Sequence, residues 1–146
     1  MTSVENTEGR GEGAEGSGRN AAGALNRVSG AIIGAAIEVH RQLGPALLES
    51  AYEACLEREL TLRGLGVQRQ LTIPVTYRGL RVPRAYRMDF LVNRLVAVEI
   101  KAVDRVLQIH EAQLLSYLRL SNLKLGLLIN FRVGLLKHGI KRLCLF

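Results

Sequence analysis

Hydrophobic and polar positions change period several times along the chain, and each change predicts a new element of secondary structure. A period near 3.6 residues predicts helices, over about 26–42, 46–63 and 108–123. Alternating or continuous apolar runs predict strands, over about 67–77, 80–82, 86–92, 96–102, 125–130 and 141–145. A strand, a helix and a further strand indicate a right-handed crossover and a parallel pair. The predicted fold class is therefore α/β, with a mixed β-sheet flanked by helices in the order ααβββαβ.

The run RMDFLVNRLVAVEIKAV is typical of a β-hairpin, and its register can be derived from the hydrophobic pattern. A loop of three residues, 93–95, pairs the apolar residues of one face: Val92 with Val96, Phe90 with Val98 and Met88 with Ile100. A loop of two residues would oppose apolar and polar residues, so the pattern rejects that register. On the other face, Asp89 lies opposite Glu99 and Arg87 lies opposite Lys101.

This register predicts two carboxylates directly across a strand pair, with Cβ atoms roughly 4.5–5.5 Å apart. Like charges placed in this way are destabilising unless a third group compensates them. A divalent cation is one compensator, because Mg²⁺ binds one or two carboxylates and keeps several waters. Lys101 follows Glu99 by two residues and shares its face of the strand. A surface salt-bridge cluster of Arg87, Asp89, Glu99 and Lys101 explains the same residues, and at this point both interpretations stay open.

Polar residues also lie at helical spacing within the third predicted helix. His110, Gln113 and Tyr117 share one face at positions i, i+3 and i+7, among leucines that must pack on the sheet. Glu49, at the start of the second helix, precedes Tyr52 by one turn. A functional site accounts for these residues, but so do a buried Gln–Tyr hydrogen-bond network and a solvated glutamate.

The first two dozen residues differ from the rest in composition. Residues 1–24 are rich in Gly and Glu and have no hydrophobic periodicity, which predicts a disordered tail before a single domain over 25–146. The chain carries a net charge of +7, and four glutamates against two arginines in the tail leave +9 on the domain. Such a basic domain favours an anionic partner, most often nucleic acid. The candidate contacts are Arg78, Arg81, Arg84, Arg105 and Lys124.

Other classes of protein are disfavoured by features that the sequence lacks. Neither of the two cysteines, Cys55 and Cys144, belongs to a Cys/His cluster, which argues against a zinc site. No apolar stretch reaches the length of a membrane span, and the N-terminus lacks the apolar core of a signal peptide. We therefore expect a cytoplasmic protein with no membrane partner.

From about residue 29 to residue 146 the chain resembles the GxxExxY family, a group within the PD-(D/E)XK nuclease-like proteins. The resemblance is carried by EVHRQLGPALLESAYEACLEREL, YRMDFLV, VAVEIKAV, IHEAQLLSYLRL and LGLLINF, in that order. Ala46 stands where the name-giving motif has its first Gly, whereas Glu49 and Tyr52 are kept. Met88 stands before Asp89 where the superfamily motif has Pro. The resemblance implies a restriction-endonuclease-like core.

The same resemblance implies a role for each matching residue. Asp89, Glu99 and Glu49 would bind Mg²⁺ or Mn²⁺, and Lys101 would position or activate the attacking water. Gln113 and Tyr117 are similar to the Gln-x-x-x-Tyr signature of RecB-like exonuclease domains, where these residues border the site.

The implied activity is metal-dependent hydrolysis of DNA phosphodiester bonds by an (exo)deoxyribonuclease, with a homodimer as a plausible assembly. Two alternatives are a nucleic-acid-binding or regulatory protein on the nuclease fold that cleaves weakly or not at all, and a structural module. Fold likeness does not decide between them.

Overall fold

The computed structural model describes residues 12–145, which form one mixed β-sheet with helices on both faces. The elements in chain order are α1 Glu12–Leu43, α2 Glu49–Leu62, β1 Val67–Tyr77, β2 Leu80–Val92, β3 Val96–Lys101, α3 Gln108–Ser121, β4 Leu125–Asn130 and β5 Ile140–Cys144. The strand order is β1-β2-β3-β4-β5, with β3 and β4 parallel and the other neighbours antiparallel. The predicted fold class, a restriction-endonuclease-like α/β core, is confirmed.

The central strands β3 and β4 are buried on both faces, which explains their nearly continuous apolar sequences. Helices α1 and α2 cover one face, where Ile32 and Leu56 pack with Phe90, Val98 and Leu127. Helix α3 covers the opposite face and packs its leucines on Met88, Ala97 and Leu128. The sheet is therefore the middle layer of three, and its two central strands form the rigid part of the fold.

Helix α1 begins at Glu12, so the expected helix start near residue 26 is wrong. The predicted boundary between tail and domain at residue 24 falls inside this helix, and the predicted disorder of residues 1–11 lies outside the described residues. Residues 18–22 are exposed, so hydrophobic periodicity gives no signal there. Extension of an existing helix costs far less than nucleation, which accounts for a helical segment without a buried face.

The hairpin register is confirmed for three pairs, Val92–Val96, Leu91–Ala97 and Phe90–Val98, and the β2–β3 ladder ends there. The predicted pairing of Met88 with Ile100 on the same apolar face is wrong. Met88 packs on the α3 side of the sheet, whereas Phe90 packs on the α1–α2 side. Regular alternation would place both on one face, so the pleat of β2 reverses at Asp89.

The neighbouring strand β1 changes at the same level. Gln70 lies between the Arg69–Phe90 and Leu71–Met88 pairs and has a φ of +57°, which is rare for a residue with a side chain. Both Arg69 and Gln70 direct their side chains to the buried carboxylate of Glu53 on α2. These hydrogen bonds to α2 satisfy a carboxylate that would otherwise be buried without a partner.

Tyr52 connects the start of α2 to the core and to the preceding loop. Its hydroxyl donates a hydrogen bond to the carbonyl of Gly44 and accepts one from the backbone N–H of Leu47 at 3.2 Å. Its ring is fully buried and stacks on Phe131, with centroids 4.3 Å apart. Because Tyr52 lies one turn after Glu49, these contacts also hold Glu49 in place.

We predict that Tyr52→Phe lowers the free energy of unfolding by about 1–3 kcal/mol, because the change keeps the ring stack but leaves two backbone groups without their partner. Urea unfolding measures the difference. The matched control is Tyr77→Phe, whose side chain is 63% exposed and which should change stability by less than about 0.5 kcal/mol. Equal effects of the two substitutions would contradict the role of the Tyr52 hydroxyl.

Candidate active site

The carboxylate of Asp89 lies where strands β2 and β3 separate. Asp89 Oδ2 accepts a hydrogen bond from the backbone N–H of Ile100 at 2.8 Å. This side-chain acceptor continues the strand contact beyond the last ladder pair, Phe90–Val98. The predicted closeness of Asp89 and Glu99 is observed, although it arises from this capping contact and not from a regular cross-strand pair. Both side chains lie within hydrogen-bond reach of each other.

Glu99 is 7% exposed and is the most perturbed group of the site. Burial raises its pKa to about 9, and the hydrogen bond and the negative charge of Asp89 act in the same direction. Two groups oppose this shift: Lys101, whose Nζ lies 4.0 Å from Glu99 Oε1, and Tyr86, whose hydroxyl donates to Glu99 Oε2 at 3.3 Å. In the absence of a further cation, Glu99 is therefore protonated at neutral pH.

Glu49, the first residue of α2, is exposed but interacts electrostatically with Lys101 and Asp89. Partial burial raises the pKa of its carboxyl, the charge of Lys101 lowers it, and the charges of Asp89 and Glu53 raise it. Glu49 therefore lies within the electrostatic range of both Asp89 and Lys101. The sequence places these three residues on separate elements, and the fold brings them to one end of the sheet.

Of the two residues of α3 that the sequence assigns to the site, Tyr117 is buried near it and Gln113 is exposed. Tyr117 is buried, and its ring centroid lies 6.0 Å from that of Tyr86, which in turn contacts Glu99. Gln113 is exposed on the same helix. Tyr86 is a site residue that the sequence analysis missed. Regular alternation would place it on the opposite face of β2 from Asp89, so only the pleat reversal reveals it.

The five basic candidates for nucleic-acid contact are all exposed, but they do not form one surface. Arg78 and Arg81 lie at the tip of the β1–β2 hairpin, and Arg84 follows three residues further along β2. Arg105 follows β3 closely, at the end of the sheet that carries Lys101. Lys124 precedes β4, whose far end at Asn130 pairs with Lys101, so Lys124 lies at the opposite end of the sheet.

The oxygen ligands at the site are those of Asp89 and Glu99. Among residues 12–145, no group of three or more His, Cys, Asp or Glu side chains is gathered as a metal site, so Glu49 does not complete a three-carboxylate cluster. The contacting pair Asp89 and Glu99 provides the oxygen ligands that Mg²⁺ takes when it retains several waters. A cation would also favour the ionised form of Glu99 against the burial and the Asp89 charge that raise its pKa. The pair fits such an ion.

The chain matches the PD-(D/E)XK nuclease superfamily over residues 26–143 and belongs to it. No curated protein and no solved structure matches the chain. The closer assignment to the GxxExxY family stays a prediction. The superfamily implies a nucleic-acid substrate, and its members generally use divalent metals. Within the described part of the chain, none of the helices has the length and apolar character needed to cross a membrane.

The raised pKa of Glu99 has a consequence for stability. Because the folded protein holds this proton from about pH 4.5 to about pH 9 and the unfolded chain does not, stability should fall as the pH rises through that window. We predict that Glu99→Gln, which imitates the protonated acid, removes this loss. The variant should be more stable than the wild type by on the order of 2 kcal/mol at pH 8 in EDTA, and nearly equal to it at pH 4.5.

The measurement is urea unfolding of both proteins in EDTA at several pH values. Glu111→Gln is a control, because Glu111 is a carboxylate on α3 that pairs with Lys141 at the surface. Parallel pH profiles for the wild type and Glu99→Gln would contradict a protonated Glu99.

Proposed function

We propose that the protein is a metal-dependent nuclease that hydrolyses phosphodiester bonds of DNA. The observation that carries the proposal is the contact of buried Glu99 with half-buried Asp89, with Lys101 beside them at one end of the sheet. Two carboxylates in contact are costly to bury, and a salt-bridge cluster on the surface would avoid this cost. An arrangement that destabilises the metal-free fold favours a functional role over a structural one.

Asp89 and Glu99 would hold Mg²⁺ or Mn²⁺, with Glu49 directed at the same place from α2. Such an ion lowers the pKa of bound water and neutralises charge on the phosphate. The backbone N–H of Ile100 fixes one oxygen of Asp89, and the hydroxyl of Tyr86 fixes one oxygen of Glu99. Both carboxylates are therefore held in one orientation before any ligand arrives.

Lys101 supplies the positive charge that does not depend on a metal. Its ammonium group lies beside Glu99 and within the electrostatic range of Glu49, and its side chain is 19% exposed. In this position it would donate hydrogen bonds to a phosphate oxygen or orient the attacking water. Tyr117 supports Tyr86 from α3, and exposed Gln113 would border the substrate.

The second candidate is a nucleic-acid-binding protein on the nuclease fold that cleaves weakly or not at all. The observation that favours it is the protonated state of Glu99 together with the absence, among residues 12–145, of a third carboxylate gathered into the site. The two candidates share the partner and differ in catalysis. Cleavage and metal binding therefore have to be measured separately.

We predict cleavage of linear or circular DNA in Mn²⁺ and none in EDTA. Lys101→Ala should reduce the cleavage rate by about 100-fold or more, because it removes a preorganised charge from the reacting phosphate. Lys137→Ala, which removes an exposed lysine of the loop before β5, is the matched control and should cleave at the wild-type rate. Cleavage that persists in EDTA, or in Lys101→Ala at full rate, would refute the proposal.

We further predict that Mn²⁺ raises the melting temperature of the wild type by several degrees, since a ligand at 100 times its Kd stabilises by about 2.7 kcal/mol. The effect should be larger at pH 8 than at pH 6, because binding must displace the Glu99 proton. Asp89→Asn should lose most of the response, whereas Asp104→Asn, with a side chain 93% exposed, should keep it. A retained metal response without cleavage would favour the second candidate.

A further inference from the structure

The hairpin of β1 and β2 extends well beyond the rest of the sheet. Strand β2 runs antiparallel to β3, and its pairing with β3 covers only residues 90–92, so the preceding part of β2 continues past the end of β3 that carries Lys101. Every residue from 74 to 85 except Val75 is exposed. We call these twelve residues, 74–85, the ribbon.

One face of the ribbon is apolar and open to solvent. Val75 pairs with Val82 and Tyr77 pairs with Leu80, so these four side chains share a face. Tyr77 is 63% exposed, Leu80 is 64% exposed and Val82 is 39% exposed. Exposed apolar residues on a strand pair promote aggregation unless they bind a partner. Their exposure therefore favours a role in binding.

The ribbon is also strongly basic. No acidic residue occurs between Val67 and Met88, and this stretch contains five arginines: Arg69, Arg78, Arg81, Arg84 and Arg87. Within residues 12–145, Arg69 is the only one of the five with an ion pair, to Glu53 and Glu57 on α2. The other four arginines leave a positive field around an apolar strip.

We propose that the ribbon docks in the major groove of a DNA duplex, an inference that rests on the proposed function for its choice of nucleic acid. The major groove of B-DNA admits a two-stranded β-ribbon. It presents base edges, including the apolar methyl groups of thymine, between two rows of phosphates. An apolar strip with arginines around it matches this arrangement in both chemistry and charge.

The competing partners fit less well. The major groove of A-form RNA is deep and narrow, so a ribbon of this width does not enter it. A second copy of the chain would bring two ribbons of like charge together, at an electrostatic cost that the apolar strip would have to offset. Double-helical DNA is therefore the occupant that the charge of the ribbon favours.

The position of the ribbon relates groove binding to the active site. Leu80 precedes Asp89 by nine residues on the same strand, so the tip lies roughly 25–30 Å from the site carboxylates. One turn of B-DNA spans roughly 34–36 Å. The ribbon would hold the duplex slightly less than one turn from the reacting phosphate. Pro74 faces three residues of β2 at a bulge, which increases the twist of the ribbon and suits a helical groove.

The test measures binding without cleavage, by fluorescence anisotropy in EDTA. The probes are a duplex DNA of about two turns, its separate single strand and the duplex RNA of the same sequence. One variant, Tyr77→Ser with Leu80→Ser, removes the apolar strip. A second, Arg81→Ala with Arg84→Ala, removes two charges. The control, Arg58→Ala with Arg119→Ala, removes two exposed charges of α2 and α3.

The apolar variant should bind duplex DNA about tenfold more weakly or worse, with unchanged affinity for the single strand and an unchanged salt slope. The ribbon arginine variant should lower the slope of log K against log salt by about 1.8, and the control should leave it near the wild-type value. Thermal melts verify that both ribbon variants fold, since the substituted residues are exposed.

Three results would overturn the ribbon assignment: wild-type affinity of the apolar variant for duplex DNA, an equal loss for single-stranded DNA, or a monomer–dimer equilibrium that depends on Tyr77 and Leu80 while duplex binding does not. Failure of the nuclease proposal is distinguishable from all three. In that case ribbon-dependent duplex binding persists, but Mn²⁺ produces no cleavage.

Discussion

The hydrogen bond from the Ile100 N–H to the carboxylate of Asp89 organises the rest of this structure. It takes the place of a ladder bond at the point where β2 leaves β3. Because a side chain satisfies this backbone donor, β2 is released from regular pairing without leaving a buried polar group unpaired. The pleat then reverses, Tyr86 turns towards Glu99, and the remainder of β2 continues away from the sheet as one strand of the ribbon.

The same contact has an energetic cost, which falls on Glu99. Burial raises the pKa of Glu99, and Asp89, which the backbone holds in place, raises it further, so the pair favours holding a proton in the absence of a cation. The fold tolerates this because Lys101 and Tyr86 partly offset the charge, and because β3 and β4 are buried on both faces. Stability is thus concentrated in the central strands, and the strained group lies at their end.

The carboxylate pair and the ribbon are separate parts of the structure, and the proposed function gives each of them a different task. The carboxylate pair lies at the end of the central strands. Helices α1 and α2 cover one face of the sheet, and α3 covers the other. If the proposal holds, the duplex is contacted by an element that extends beyond the core. The long β1–β2 hairpin is the element that does so, and it is continuous in sequence with Asp89. Binding at the ribbon and chemistry at the carboxylates would therefore be mechanically linked through one strand.

Much of the fold follows from the sequence, because each element carries its own hydrophobic period. The strand β4, the parallel crossover through α3 and the hairpin register around Val92 and Val96 were all predictable in this way. The closeness of Asp89 and Glu99 followed from the same register. The start of α1 was not predictable, since the sequence before residue 26 has no hydrophobic period and residues 18–22 are exposed.

Other features depend on tertiary structure. The reversal of β2 at Asp89 coincides with an irregularity of β1 at Gln70, whose side chain contacts Glu53 on α2. The protonation of Glu99 depends on burial, which α3 and β4 supply from distant parts of the chain. Local sequence determined which residues alternate and where most of the elements begin, although not the start of α1. Packing between elements that are far apart in sequence decided where the alternation of β2 fails. The same packing brought Tyr86 and Asp89 to Glu99.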